Sequence, residues 1–252
     1  MQAGVVALPR ATAAVPGLHR IKRLRGRGWA LVPVGSIVLV VFAIRYGSDT
    51  ATGLTYLALV AVPPLAAVAL AGAVRGTRPI FAIAAVPAFV LAWAASRSLA
   101  GEAAAALLSA LSCVTLGVLL AAVTPPAWLK LGIVAMAAAD TWLVVSDLLQ
   151  APNATLIGAH PAAGLPRLQS ELFGSVSMGY GDLFVAALLG AVLAANRRTQ
   201  RGAALLTLAL AALFDLLFLV VGELPATVPV ALALIAIELR KRVPHSPDKV
   251  LH

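Results

Sequence analysis

The chain is poor in the residues that soluble proteins rely on. Of its 252 residues only 12% are charged, and just ten are acidic. Ordinary soluble domains carry about twice that share of charge, around 25%. There is one cysteine, Cys113, so an intrachain disulfide is excluded and the redox compartment cannot be read from it. There are four histidines, and none falls inside an apolar stretch. That leaves no nucleophilic serine–histidine pair and, with carboxylates lacking His or Cys partners, only a poor zinc site within the apolar part. What is abundant is apolar: 61% of residues are hydrophobic and mean hydropathy is +0.97. This composition excludes a disordered protein, a disulfide scaffold and an ordinary soluble globule. It fits a polytopic membrane protein, whose lipid-facing surface is apolar as well as its core.

Eight apolar stretches are read along the chain, over 28–46, 54–74, 80–95, 104–123, 129–149, 176–195, 203–221 and 225–239. Most approach the ~20 residues that a helix needs to cross a hydrocarbon layer of ~30 Å. Pro63-Pro64, Pro87 and Pro229 lie inside them, which membrane helices tolerate when neighbours satisfy the freed carbonyls. The net charge of +9 belongs to orientation rather than to nucleic acid. With the N-terminus in the cytoplasm, only Arg45, Arg97 and Arg167 among the 19 basic residues fall outside. Lys and Arg are retained on the cytoplasmic side, so the pattern predicts eight spans with both termini cytoplasmic. The expected organisation is a basic cytoplasmic segment at 1–27, four spans over 28–123, four more over 124–239 and a cytoplasmic tail at 240–252. The first segment reads as a stop-and-orient signal. The loop at 150–175 is expected outside, with a short surface helix around 165–173. It contains His160 and an Asn153-Ala154-Thr155 sequon, both read as surface features. The Ala- and Arg-rich composition hints at a GC-rich bacterial genome, hence an inner membrane.

Four of the ten acids, Asp140, Asp147, Asp182 and Asp215, fall within the apolar stretches. A carboxylate at the bilayer centre costs at least ~2.5–3.5 kcal/mol, and no Lys, Arg or His lies mid-span to pair with it. Such acids are protonated, bonded to one another or facing a wet cavity. Asp147 reads as reaching interfacial water near a helix end, and Asp215 as an interhelical hydrogen-bond partner. Asp140 and Asp182 lie on consecutive antiparallel spans, ~15 Å and ~9 Å below the outer surface at 1.5 Å per residue. Two carboxylates sharing a low-dielectric site do not both ionise, and the pair shares a proton. That state suits peptide hydrolysis: the ionised member takes a proton from water while the protonated one polarises the scissile carbonyl. Asp182 closes Gly179-Tyr180-Gly181-Asp182. The two glycines remove bulk beside the carboxylate and permit unusual backbone angles.

These residues resemble the presenilin and signal peptide peptidase group of intramembrane aspartyl proteases. Asp140 ends an apolar half-span that follows Pro126-Ala127-Trp128. Gly179-Tyr180-Gly181-Asp182 matches the group's Gly-x-Gly-Asp motif. Leu224-Pro225-Ala226-Thr227 opens the last span, where the group carries Pro-Ala-Leu. The resemblance covers roughly residues 126–232. It departs at Ala139, where the group usually has tyrosine, and at Thr227, where it has leucine. It implies an all-α, presenilin-like bundle of about eight transmembrane helices with Asp140 and Asp182 as the catalytic dyad. Gly179, Tyr180, Gly181, Pro225, Ala226 and Thr227 would shape the substrate site. Both termini inside is similar to signal peptide peptidase and implies substrates of type II orientation, transmembrane segments or signal peptides within the lipid bilayer. No cofactor, metal or nucleic acid is implied; water is the second substrate. Three other readings stand beside this one. A prepilin-type peptidase also uses Gly-x-Gly-Asp, but places its acids towards the cytoplasm. A proton- or cation-coupled transporter would use Asp147 and Asp215. A non-catalytic family member would bind membrane proteins without cutting them.

Overall fold

The structure is a computed structural model. It describes residues 1–15, 18, 24–46, 49–146, 148, 152, 154–155, 158–159, 161–173, 176–217 and 224–242. In chain order the elements are α1 (Gln2–Ala7), α2 (Leu31–Tyr46), α3 (Thr50–Val68), α4 (Ala85–Ala94), α5 (Leu99–Val123) and α6 (Pro126–Val145). A two-stranded hairpin follows, β1 (Ser170–Phe173) and β2 (Val176–Gly179). The chain continues through α7 (Tyr180–Leu193), α8 (Arg197–Leu217) and α9 (Val228–Arg242). A helix occupies each of the eight apolar stretches. Among the described residues, four helical segments are long and apolar enough to cross a membrane: Thr50–Ala73, α5, α6 and α8. Large apolar side chains such as Val60, Leu131, Trp142 and Leu205 stand exposed around the outside. Water does not tolerate so much exposed apolar surface on a monomer, and lipid does.

Helix α5 is the hub. Within its most apolar stretch 78% of residues are buried, against 22–28% for the other three long helices, so it lies inside the bundle and they form the wall. It packs against α7, α3 and α4. Small residues make this possible: a Cβ on Gly117 would stand 2.9 Å from the Ala187 carbonyl carbon of α7. Membrane helices associate through such close approach, because lipid supplies no hydrophobic drive between them. Its start is fixed by Ser98, whose hydroxyl accepts the Gly101 N–H at 3.2 Å, with Glu102 in the first turn facing the positive end of the helix dipole. Helix α3 carries Pro63 and Pro64 without breaking, and widens into a π turn at Ala69–Ala73.

Two regions differ from the sequence reading. The surface helix expected around 165–173 is absent; residues 170–173 form β1, paired antiparallel with β2 from Ser170↔Gly179 to Phe173↔Val176. Span six therefore becomes helical only at Tyr180, four residues later than expected. The segment at 1–27, read from the sequence as an orienting signal, also contributes to the bundle. Its first residues form α1, packed between α7 and α8 with Val5 and Val6 buried. The buried Gln200 amide of α8 donates to the carbonyls of Val6 (3.1 Å), Pro9 (2.9 Å) and Gly190 (3.2 Å). Arg75 ties the same seat together, donating to the Ala194 carbonyl at 2.9 Å and to Gln200 Oε1 at 3.1 Å. Main-chain bonds from Arg10 N–H to the Ala73 carbonyl and from Arg75 N–H to the Leu8 carbonyl close the segment onto the end of α3.

Candidate active site

Asp140 projects from the second half of α6, and Asp182 is the third residue of α7. The two helices pack together, and the two carboxyl groups lie within electrostatic reach of one another. The structure thus brings together the two acids that the motif singled out. The depth argument needs one correction. Asp182 is not two turns into a helix but in its first turn, because the preceding four residues are strand.

Each carboxylate is held through one oxygen. Asp182 Oδ2 accepts the N–H of Gly179, the residue before α7, at 3.1 Å. This is a first-turn acid reaching back to the helix start, where the dipole also favours negative charge. Asp140 Oδ2 accepts the Thr227 hydroxyl at 2.6 Å and the Thr227 N–H at 3.4 Å. Thr227 is fully buried directly before α9. The threonine that departs from Pro-Ala-Leu is therefore the residue that touches the first aspartate, a contact that leucine has no donor to make. Among the described residues both sets of bonds fall on Oδ2, leaving each Oδ1 available.

The other motif residues divide by role. Gly179 leaves room for the carboxylate, since a Cβ there would stand 3.2 Å from Asp182 Oδ2. Its backbone is ordinary (φ −74, ψ 146), and Gly181 is helical, so neither uses the conformational freedom that the sequence allowed. A Cβ on Gly181 would meet open space. Tyr180 faces α5: its phenol and the Ser112 hydroxyl are 2.7 Å apart, and the buried Cys113 thiol lies 3.6 Å from its carbonyl oxygen. Pro225 caps the turn into α9, its carbonyl accepting the Val228 N–H. The Ala226 carbonyl accepts the Gln2 side-chain amide at 2.8 Å. Gln2 was not singled out from the sequence, and a lone glutamine ahead of Val5-Val6 gave no signal that it would reach the last span.

Of the remaining acids, Asp215 is exposed near the end of α8 and makes no hydrogen bond or ion pair to a described residue of the dyad. Asp147, Asn153 and His160 lie outside the described residues. Beside Asp140, an open apolar groove of about 460 Å³ runs between α6 and α9, lined among others by Ala137, Thr141, Trp142, Val228, Ala231 and Ile235. No known family, curated protein or solved structure matches this chain.

Proposed function

We propose that this protein is an intramembrane aspartyl protease that hydrolyses peptide bonds within transmembrane segments, with Asp140 and Asp182 as its dyad. The observation that carries the reading is the meeting of these two acids. They come from two helices of an apolar bundle that pack together, and each has one oxygen fixed. In the proposed reaction the ionised aspartate takes a proton from water as its oxygen adds to the scissile carbonyl carbon. The protonated aspartate donates to the carbonyl oxygen. Collapse of the tetrahedral intermediate breaks the C–N bond, with a proton delivered to the leaving nitrogen.

The surroundings suit a membrane-embedded peptide. The groove between α6 and α9 offers apolar side chains to a neighbouring helix, and Thr141 on its wall follows Asp140 directly. On the other side, β2 runs straight into Gly179, so an extended backbone can lie along strand edges beside Asp182. A substrate helix must unwind locally before its backbone becomes available, because its peptide groups are otherwise bonded internally. We read the chain as eight spans with both termini cytoplasmic in a bacterial inner membrane, acting on type II segments. The distribution of Lys and Arg supports the orientation, and the Gly-x-Gly-Asp resemblance supports the dyad.

The test is cleavage of single-span type II substrates by the purified protein in lipid vesicles, with Asp140→Asn and Asp182→Asn alongside. Loss of cleavage on either change is the expected result. Substrates carrying a helix-breaking residue in the span are expected to be cut faster than straight, stable ones. A wild type that cuts none of several destabilised spans would sink the proteolytic reading.

A further inference from the structure

Among the polar groups outside the dyad, Gln2 stands apart. It is the second residue of the chain, 5% exposed, and its side-chain amide crosses to the opposite end of the sequence to hold the Ala226 carbonyl at 2.8 Å. That carbonyl belongs to the same peptide unit as the Thr227 N–H. The N–H points at Asp140 Oδ2, and the Thr227 hydroxyl bonds the same oxygen. A trans peptide unit is planar, with its C=O and N–H directed oppositely. Fixing the oxygen end therefore fixes the direction of the N–H, and limits the rotation that would swing the Thr227 side chain. A donor on the carbonyl also polarises the unit and strengthens its N–H as a donor.

Gln2 is itself held from behind. The Gln200 amide grips the Val6 and Pro9 carbonyls, and Gly190 has no side chain where a Cβ would overlap the Val6 carbonyl oxygen. The seat is shaped so that α1 is delivered at one depth.

We propose that Gln2 is a positioning residue of the aspartate site: it sets the Ala226–Thr227 peptide plane, and through it the placement of the Asp140 carboxylate. Its consequence for turnover rests on the proteolytic reading; its consequence for Asp140 does not.

Two measurements on protein in vesicles separate these. The first is the rate of modification by dicyclohexylcarbodiimide, which attacks protonated carboxyl groups in apolar surroundings, read at each aspartate by mass spectrometry. Gln2→Leu, which keeps the volume and removes the donor, is expected to speed modification of Asp140 by roughly 3- to 10-fold, the scale of one net hydrogen bond. Asp182 is not expected to speed up. Thr227→Val marks the full effect of losing the hydroxyl. Unchanged modification of Asp140 in Gln2→Leu would overturn the proposal. So would an equal acceleration at Asp182, which marks general loosening. The second measurement is cleavage kinetics. Gln2→Leu is expected to lower kcat by roughly 3- to 10-fold with KM unchanged. A raised KM at unchanged kcat would overturn positioning in favour of substrate binding. Failure of the wild type to cleave counts against the protease, while the carbodiimide arm still decides the role of Gln2.

Discussion

Thr227 shows how one side chain changes the reading of a motif. By pattern it is a departure; in the structure its hydroxyl makes the shortest bond to Asp140. Thr227→Val keeps the shape and removes the donor, and is expected to lower turnover roughly 10- to 100-fold, the range for a hydrogen bond to a charged group. Thr227→Ser, which restores the hydroxyl, is expected to stay within about 3-fold of wild type in the same vesicle assay. Equal loss in both variants would mean that the methyl group matters and the hydroxyl does not. The two glycines of the motif make a second contrast. Gly179→Ala places a methyl group 3.2 Å from Asp182 Oδ2 and is expected to abolish most cleavage. Gly181→Ala meets open space and is expected to leave activity and thermal stability near wild type.

At the scale of elements, apolar length made the helices legible. A run of some twenty apolar residues has few alternatives in a membrane. The same signal blurs where elements meet. Val176-Ser177-Met178 is apolar enough to merge with the stretch that follows, so apolar length alone does not separate the strand from the helix. Its alternation, with Gly174-Ser175 ahead of it, is the hairpin signal that length obscured. The meeting of Asp140 with Asp182 was legible through consecutive antiparallel spans. The Gln2 contact was not, because the six residues of α1 are far too few to register as a span and no periodicity links them to Gly190 or Gln200. That seat makes a prediction. Gly190→Val drives side-chain atoms into the Val6 carbonyl and is expected to displace α1. It should then reproduce the faster Asp140 modification of Gln2→Leu while the helical signal by circular dichroism is retained. On α5, Gly117→Val pushes against the Ala187 backbone of α7 and is expected to destabilise the bundle by about 1–3 kcal/mol, the usual cost of overpacking, read as an earlier thermal transition in detergent.

For the whole molecule, charge decides direction. Arg97 lies just after α4 and Arg240 in the last turn of α9, on opposite sides in the proposed eight-span arrangement. Arg97→Cys is expected to react with a membrane-impermeant maleimide in intact cells, and Arg240→Cys only after the membrane is opened. Labelling of both from one side would break the alternation on which the orientation rests. The apolar exterior and the single cysteine make this experiment clean, since Cys113 is 0% exposed.

That same thiol is also a built-in clock. It sits on the hub helix, 3.6 Å from the carbonyl oxygen of Tyr180, which stands two positions before Asp182. Being 0% exposed, it reacts only when the packing around α5 opens. The rate at which native Cys113 reacts with a thiol reagent is therefore expected to report how often that packing opens, read without a mutation or a substrate.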